Sequence, residues 1–215
     1  MNPTPTASAR RADDAELLAT WRQGDPHSGQ ALFGRHFTRI SRFFRGKVDA
    51  NFIDDLVQET FFRCVRGRGR VRDGEAFRSY LFGVAYNTLR EHYRDRVREA
   101  DIDFGVTSVH DLATSPSERV DRNDRRRALH RQLQCLPVDQ QVALELYYWE
   151  GMTAPAVASA MGIPEGTART RIRRGKLRLH QLLQAAALEA PSGPGRGTTN
   201  VGRSRGWPSR PNASH

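Results

Sequence analysis

The sequence predicts an all-α protein: two small helical domains joined by a flexible linker, the second of them a helix-turn-helix domain. Three observations carry that reading. Apolar residues recur at helical spacing over residues 13 to 98 and again over 125 to 189, and strand-like alternation is absent throughout. Residues 101 to 124 are poor in apolar side chains and broken by Thr114-Ser115-Pro116-Ser117. Near the end of the second helical stretch, a short helix over 154 to 161 and a tight turn at Gly162-Ile163-Pro164-Glu165 precede a strongly cationic helix.

Residues 1 to 12 are rich in Pro, Thr and Ala and read as a disordered leader. A first helix is expected near Asp13, carrying Leu17, Leu18 and Trp21, until Gly24-Asp25-Pro26 interrupts it. The second carries Ala31, Leu32, Phe37, Ile40 and Phe44. A third places Ile53, Leu56, Val57, Phe61, Cys64 and Val65 on one side. The run Arg66-Gly67-Arg68-Gly69-Arg70-Val71-Arg72-Asp73-Gly74 reads as an exposed basic loop, since each interior glycine costs a helix about 1 kcal/mol relative to alanine. A fourth helix follows, with Phe77, Leu81, Val84, Ala85 and Leu89 as its apolar side. These four helices suffice for one compact core over 13 to 98.

Residues 99 to 124 read as a tether containing seven acids. The second domain, 125 to 189, starts with Leu129, Leu133 and Leu136 before Pro137. A helix over 139 to 149 follows, and Thr153 stands where it can cap the next one. Residues 190 to 215 hold four arginines and no acid, the composition of a disordered basic tail that adds salt-sensitive attraction to nucleic acid.

Charge directs the search for function. The chain of 215 residues carries a formal net charge of +10, which favours a polyanionic partner. Six cationic side chains fall within residues 169 to 178. On a helical wheel Ala168, Ile172, Gly175 and Leu179 share one face, which predicts core contact, with Gly175 admitting a close helix neighbour. Thr170, Arg173, Arg174 and Leu177 lie opposite, flanked by Arg169 and Lys176 on one side and by Arg171 and Arg178 on the other. Arginine forks suit guanine edges, and flanking cations suit phosphates.

The first domain divides differently. Asp54, Asp55, Gln58 and Glu59 form an acidic-polar face, read either as a complement to the helix dipole or as a protein-docking patch. Arg66, Arg68, Arg70, Arg72, Arg78, Arg90 and Arg94, interleaved with Tyr80, Tyr86 and Tyr93, suit single-stranded DNA, whose bases stack on aromatic rings. Catalysis finds no support: the histidines are scattered, and no hydrolytic triad, Walker loop or dinucleotide fingerprint is present. No cofactor or metal is expected. Cys64 and Cys135 read as reduced, buried thiols, and with no signal-like start and no long apolar run the chain is expected to be cytoplasmic, without insertion into a membrane.

Two stretches in the first domain, Asp54-Asp55-Leu56-Val57-Gln58-Glu59-Thr60-Phe61 and Phe77-Arg78-Ser79-Tyr80-Leu81-Phe82-Gly83-Val84-Ala85-Tyr86-Asn87, resemble region 2 of bacterial sigma factors. In the second, Leu136-Pro137 with Gln140, and Gly162 to Thr167 with the arginines beyond, resemble region 4. The chain is thus similar to the extracytoplasmic-function type of the sigma-70 family. That resemblance implies binding to core RNA polymerase through Asp55, Leu56, Gln58 and Glu59. It implies support or contact of opened minus-ten DNA by Phe77, Tyr80, Asn87, Arg90 and Arg94, with an unstacked base received by the loop from Arg66 to Gly74. It places Thr170, Arg173 and Arg174 in the major groove of the minus-35 element and Arg169 and Arg171 on its backbone. Promoter DNA, both duplex and single-stranded, and an anti-sigma protein are the other implied partners, and association with the nucleoid is implied when the chain is polymerase-bound. Departures from the family pattern include Pro155 and Ala156 at the start of the scanning helix, Tyr80 in place of tryptophan, Tyr86 in place of arginine, and Gly175 in place of alanine. The alternative is a helix-turn-helix regulator that is no polymerase subunit; it ordinarily needs a dimer to read paired half-sites, and no helix is left over for that purpose.

Overall fold

A computed structural model describes residues 7–67, 69, 71, 74–96, 102–112 and 124–189. Its elements are α1 (Ala7–Arg22), α2 (Pro26–Phe44), α3 (Ala50–Arg66), α4 (Gly74–Arg96), α5 (Val109–Leu112), α6 (Asp124–Gln134), α7 (Val138–Leu144), α8 (Ala154–Met161) and α9 (Glu165–Glu189). A single π turn, Glu145–Trp149, continues α7. Among the described residues the remaining regular pairing is limited to isolated bridges at Arg45–Val48 and Ser108–Pro137.

In the first domain α1 to α4 enclose Trp21, Leu32, Ile40, Phe44, Val57, Cys64, Phe77, Leu81 and Leu89. The α2 start is fixed by Asp25, whose carboxylate accepts the amides of His27 and Ser28, while Pro26 occupies the first turn, where no intrahelical amide bond is lost. Asp14 ties α1 to α2: it accepts from His36 Nε2 at 2.9 Å and from Arg35 Nη1 at 3.2 Å. Burial opposes charge on Asp14, but the His36 and Arg35 contacts prevail and hold its carboxyl below the usual range.

Two expectations change here. The first helix begins at Ala7, so residues 7 to 12 are helical rather than part of a disordered leader. Ala7, Ala9, Arg10, Arg11 and Ala12 are all good helix formers, and a helix already anchored by Leu18 and Trp21 extends into them at little cost. Residues 1 to 6 and the basic tail 190 to 215 lie outside the described residues, as do Arg68, Arg70, Arg72 and Asp73 of the glycine-rich loop.

The second change concerns the tether. Residues 102–112 form an ordered strap, with Ile102, Phe104 and Val109 buried. Ser108 and Asp111 cap its short helix reciprocally, Ser108 N–H donating to the Asp111 carboxylate and Asp111 N–H to the Ser108 hydroxyl. Backbone bonds then fasten the strap to the second domain, Val138 N–H to Thr107 C=O and Asp139 N–H to Phe104 C=O, each 3.0 Å. Apolar residues are few in this segment, yet three of them find cover, which is enough to order eleven residues already tethered at both ends.

The second domain packs α6 to α9 around Leu136, Val142, Leu144, Leu146, Val157, Met161, Ala168, Ile172 and Leu179. Its core is continuous with that of the first domain, because α4 lies along α8. Gly83 makes that approach possible: a Cβ there would stand 2.9 Å from the Ala160 carbonyl oxygen.

Candidate nucleic-acid interface

The helix-turn-helix is built by local chemistry. Thr153 accepts the Ala156 amide at 3.3 Å and caps α8, with Pro155 in the first turn. Gly162, at φ 64°, ends it in the left-handed conformation, and Ile163 N–H returns to Ala158 C=O at 3.0 Å. Pro164 C=O then accepts the amides of Thr167 and Ala168, starting α9.

The face of α9 that packs is the one its periodicity predicts: Ala168, Ile172 and Leu179 are buried, and a Cβ on Gly175 would lie 3.2 Å from Leu144 Cδ1. Arg173, Arg174, Lys176, Leu177 and Arg178 are exposed, and Thr170 is half-buried with its hydroxyl bonded to Gly166 C=O at 2.8 Å. Arg169 is exposed and pairs with Glu165 one turn back through Nε at 2.8 Å. Arg171 differs from its neighbours. It is half-buried and turned toward Asp139, with Nη2 to Oδ2 at 2.6 Å, although sequence alone grouped it with the outward cations.

On α3 the acidic face points outward: Asp54, Asp55 and Gln58 are exposed, and Leu56 and Glu59 are half-buried. Glu59 accepts from Arg63 Nε at 2.5 Å, so part of its charge is already answered within the helix. Phe62 and Val65 continue the exposed face beyond it.

On α4, Asn87 and Arg94 are exposed while Tyr80 and Arg90 are half-buried. The Tyr80 hydroxyl end lies against Gly67, where a Cβ would come within 2.0 Å of it. Phe77 belongs to the core at 0% exposure, edge-on to His36 with ring centroids 5.5 Å apart, so its place is beneath the surface rather than on it. Tyr86 and Tyr93 are buried as well, which removes them from any set of exposed stacking rings. Tyr93 donates to Lys47 C=O and Tyr86 to Asp139 Oδ1. Burial and the adjacent Asp139 charge push the Tyr86 hydroxyl well above its ordinary pKa, keeping it a donor. A second stripe, Phe82, Ala85, Tyr86, Leu89 and Tyr93, is legible in the sequence at spacings of three and four; it marks a helix covered on two sides.

Several residues that sequence reasoning passed over lie between the domains. Lys47, with its side chain wholly buried, bonds Glu145 and the Phe43 carbonyl, and its ammonium sits 4.4 Å from the Phe43 ring centroid. Glu150, which follows the π turn, takes Arg42 at 3.0 Å and Arg39 at 3.8 Å, while its backbone carbonyl accepts from Arg78. Phe104 of the strap covers Arg90 and Arg94, with its ring centroid 5.0 Å and 5.8 Å from their guanidinium carbons.

Sequence comparison bears directly on these two surfaces. The profile described as "Sigma-70 region 2" matches residues 32–99, and that described as "Sigma-70, region 4" matches 126–179. The RNA polymerase sigma factor CarQ of Myxococcus xanthus is 34% identical over 175 residues, covering 80% of this chain and 98% of that protein. The chain belongs to the sigma-70 family. Within it the chain is of the extracytoplasmic-function type, similar also to the sigma factor SigM of Mycobacterium tuberculosis strain H37Rv (30% identity, 79% of this chain, 84% of that one) and to the sigma-H factor of Pseudomonas aeruginosa (29%, 82% and 97%). Among solved structures, CnrH in complex with the cytosolic domain of CnrY shares the fold, with a TM-score of 0.59 at 22% identity over 80% of this chain and 98% of that one. RpoE in complex with the anti-sigma factor NepR from Bartonella quintana gives 0.54 at 21% identity, covering 69% and 91%.

This sigma factor therefore binds core RNA polymerase and recognises promoter DNA, and bond-making chemistry belongs to the polymerase. Among the described residues no three His, Cys, Asp or Glu side chains gather as a metal site, and no helix is long and apolar enough to cross a membrane.

Proposed function

We propose a division of labour among named surfaces of this sigma factor. Asp55, Leu56, Gln58 and Glu59 on α3 dock the chain to core polymerase. Tyr80, Asn87, Arg90 and Arg94 on α4 hold opened minus-ten DNA, with Phe77 supporting them from the core. Thr170, Arg173 and Arg174 on α9 read the minus-35 major groove while Arg169 and Arg171 hold its phosphates. The units that act are residues 13 to 98 and 125 to 189, and the basic tail adds sequence-independent attraction to DNA.

The single observation that carries this reading is the division of α9 into a buried Ala168–Ile172–Leu179 face and an exposed face bearing Arg173 and Arg174. Exposed arginines on a helix anchored from behind are what base-edge and phosphate contacts require. Joining the two DNA-binding units makes the second contact intramolecular once the first has formed, so neither must bind tightly alone. Strand opening is then sustained by capture of unpaired bases.

The same surfaces suit regulation by a protein partner. The similar CnrH and RpoE structures are complexes, the latter with an anti-sigma factor. An anti-sigma protein acting on this chain would compete for the acidic face of α3 or for the cationic faces of α4 and α9.

Reconstitution with core polymerase tests the assignment. Asp55→Lys with Glu59→Lys is expected to weaken core binding and leave minus-35 duplex binding by residues of α9 unchanged. Arg173→Ala with Arg174→Ala is expected to alter upstream promoter choice in run-off transcription while core binding persists. Unchanged promoter preference in the arginine variant would reject the reading face.

A further inference from the structure

The cationic helix α9 begins on an acid. Glu165 opens it, and no further acid follows until Glu189 at its far end, while six cations fall within residues 169 to 178. On the helical wheel Glu165 shares the flank of Arg169 and Lys176, the side turned to a phosphate strand when α9 lies in a major groove. A carboxylate there repels the polyanion that the rest of the helix attracts.

Stability does not account for this acid. The side chains of Arg169 and Glu165 are 66% and 44% exposed, and an ion pair so open to water contributes little to folding. What the pair does is fix a direction. Arg169 donates to Glu165 Oε1 through Nε at 2.8 Å and through Nη2 as well. One edge of the guanidinium is thereby closed, and the donors left over, both hydrogens of Nη1 and the second of Nη2, lie on the opposite edge. A free arginine swings through its rotamers and meets any phosphate within reach, whereas one held at an edge meets only a phosphate that stands where its other edge points. The next residue is fixed in the same manner, since the Thr170 hydroxyl donates to Gly166 C=O at 2.8 Å. Both contacts tie a side chain one turn back, so the leading part of α9 meets DNA with its polar groups already placed.

We propose that Glu165 is a specificity-determining residue that acts through Arg169. It restricts Arg169 to the one phosphate presented by a correctly seated duplex and, on every other seating, adds a repulsion that no contact offsets. The proposal rests on the assignment of α9 to the major groove and of Arg169 to its backbone. Glu165 reads no base itself. It lowers affinity for DNA at large more than affinity for the promoter, which is what selection of one site among many requires.

The test uses the full chain reconstituted with core polymerase and a pool of randomised duplexes long enough to hold both promoter elements, from which bound molecules are recovered and sequenced. Two quantities are read: the enrichment of the selected upstream motif over the pool, and the salt dependence of binding to the unselected pool. Glu165→Gln is expected to select the same motif with about fivefold lower enrichment, the effect of one screened unit charge near a phosphate. It should also steepen the salt dependence on the unselected pool by about one counterion. Arg169→Lys keeps the charge without the two-donor edge and is expected to lower enrichment likewise. In an Arg169→Ala background, Glu165→Gln should raise affinity for motif and pool alike and so leave enrichment unchanged.

Wild-type enrichment in Glu165→Gln, a drop of the same size in the Arg169→Ala background, or a changed letter in the selected motif, the mark of a carboxylate that reads a base directly, would overturn the proposal. Arg173→Ala with Arg174→Ala, run in the same selection, distinguishes this failure from that of the assignment beneath it. If that variant selects the wild-type motif, the placement of α9 fails and the role of Glu165 with it. If its motif changes while Glu165→Gln behaves as wild type, the role of Glu165 alone is rejected.

Discussion

Glu145→Gln should harm this protein far more than Lys47→Met, although the two residues form one ion pair. The Lys47 side chain is 0% exposed, whereas that of Glu145 is 20% exposed, so water reaches only one partner. Burial already pulls the Lys47 ammonium below its ordinary 10.5, and the Glu145 charge is what opposes that pull. Removing the charge leaves three outcomes. An unpartnered buried ammonium costs about 3 to 5 kcal/mol. Shedding the proton at pH 7.5 costs about 4 kcal/mol for a lysine that starts three units higher. Parting the domains to hydrate Lys47 costs whatever their interface is worth. The least expensive of these sets the loss, so Glu145→Gln is expected to destabilise the closed chain by about 3 kcal/mol. Lys47→Met leaves a carboxylate that water can solvate, and the loss falls to about 1 kcal/mol. Lys47→Met with Glu145→Met should recover most of the difference, because an apolar pair of similar volume carries no desolvation cost. Urea unfolding followed by circular dichroism, together with scattering to detect domain separation, measures all three. Equal losses for the two single variants, or a larger loss for Lys47→Met, would refute the reasoning.

Other expectations follow from single contacts. Asp14→Asn should cost about 1 to 2 kcal/mol at neutral pH; because the folded pKa of Asp14 is depressed below 3.8, the wild-type advantage is full above that value and lost as pH falls through the depressed one, as acid titration of stability will show. Cys64, whose thiol burial pushes up to about 12, should resist a thiol reagent until the protein unfolds, while the half-buried Cys135 reacts in the native state; mass spectrometry of partially labelled protein distinguishes them. Ile172→Ala should destabilise the second domain by about 2 to 4 kcal/mol and weaken minus-35 binding only through unfolding, so that affinity corrected for the folded fraction equals wild type.

The faces of individual helices were legible in the sequence because they depend on spacing within one element. The α9 wheel separates Ala168, Ile172 and Leu179 from Arg173 and Arg174 with no knowledge of what packs on either side. The Thr153 cap and the Gly162 turn were legible for the same reason, since each acts on amides or carbonyls a few residues away. Tyr86 and Tyr93 were misplaced because a tyrosine suits a DNA surface and a half-polar interior equally well; the distinction lies in whether a partner waits for the hydroxyl. For Tyr86 that partner is Asp139, 53 residues on in sequence.

The residues that join the domains follow the same rule more strictly. Nothing around Lys47 indicates that Glu145 will meet it, and nothing around Phe104 indicates that it will lie over Arg90 while bonding the Asp139 amide. By itself the sequence determined two helical units, their apolar and charged faces and the family they belong to, because helical period and local capping are properties of neighbours along the chain. The tertiary structure decided which of those charged faces turn toward each other, because pairing across tens of residues depends on where packing brings the backbones.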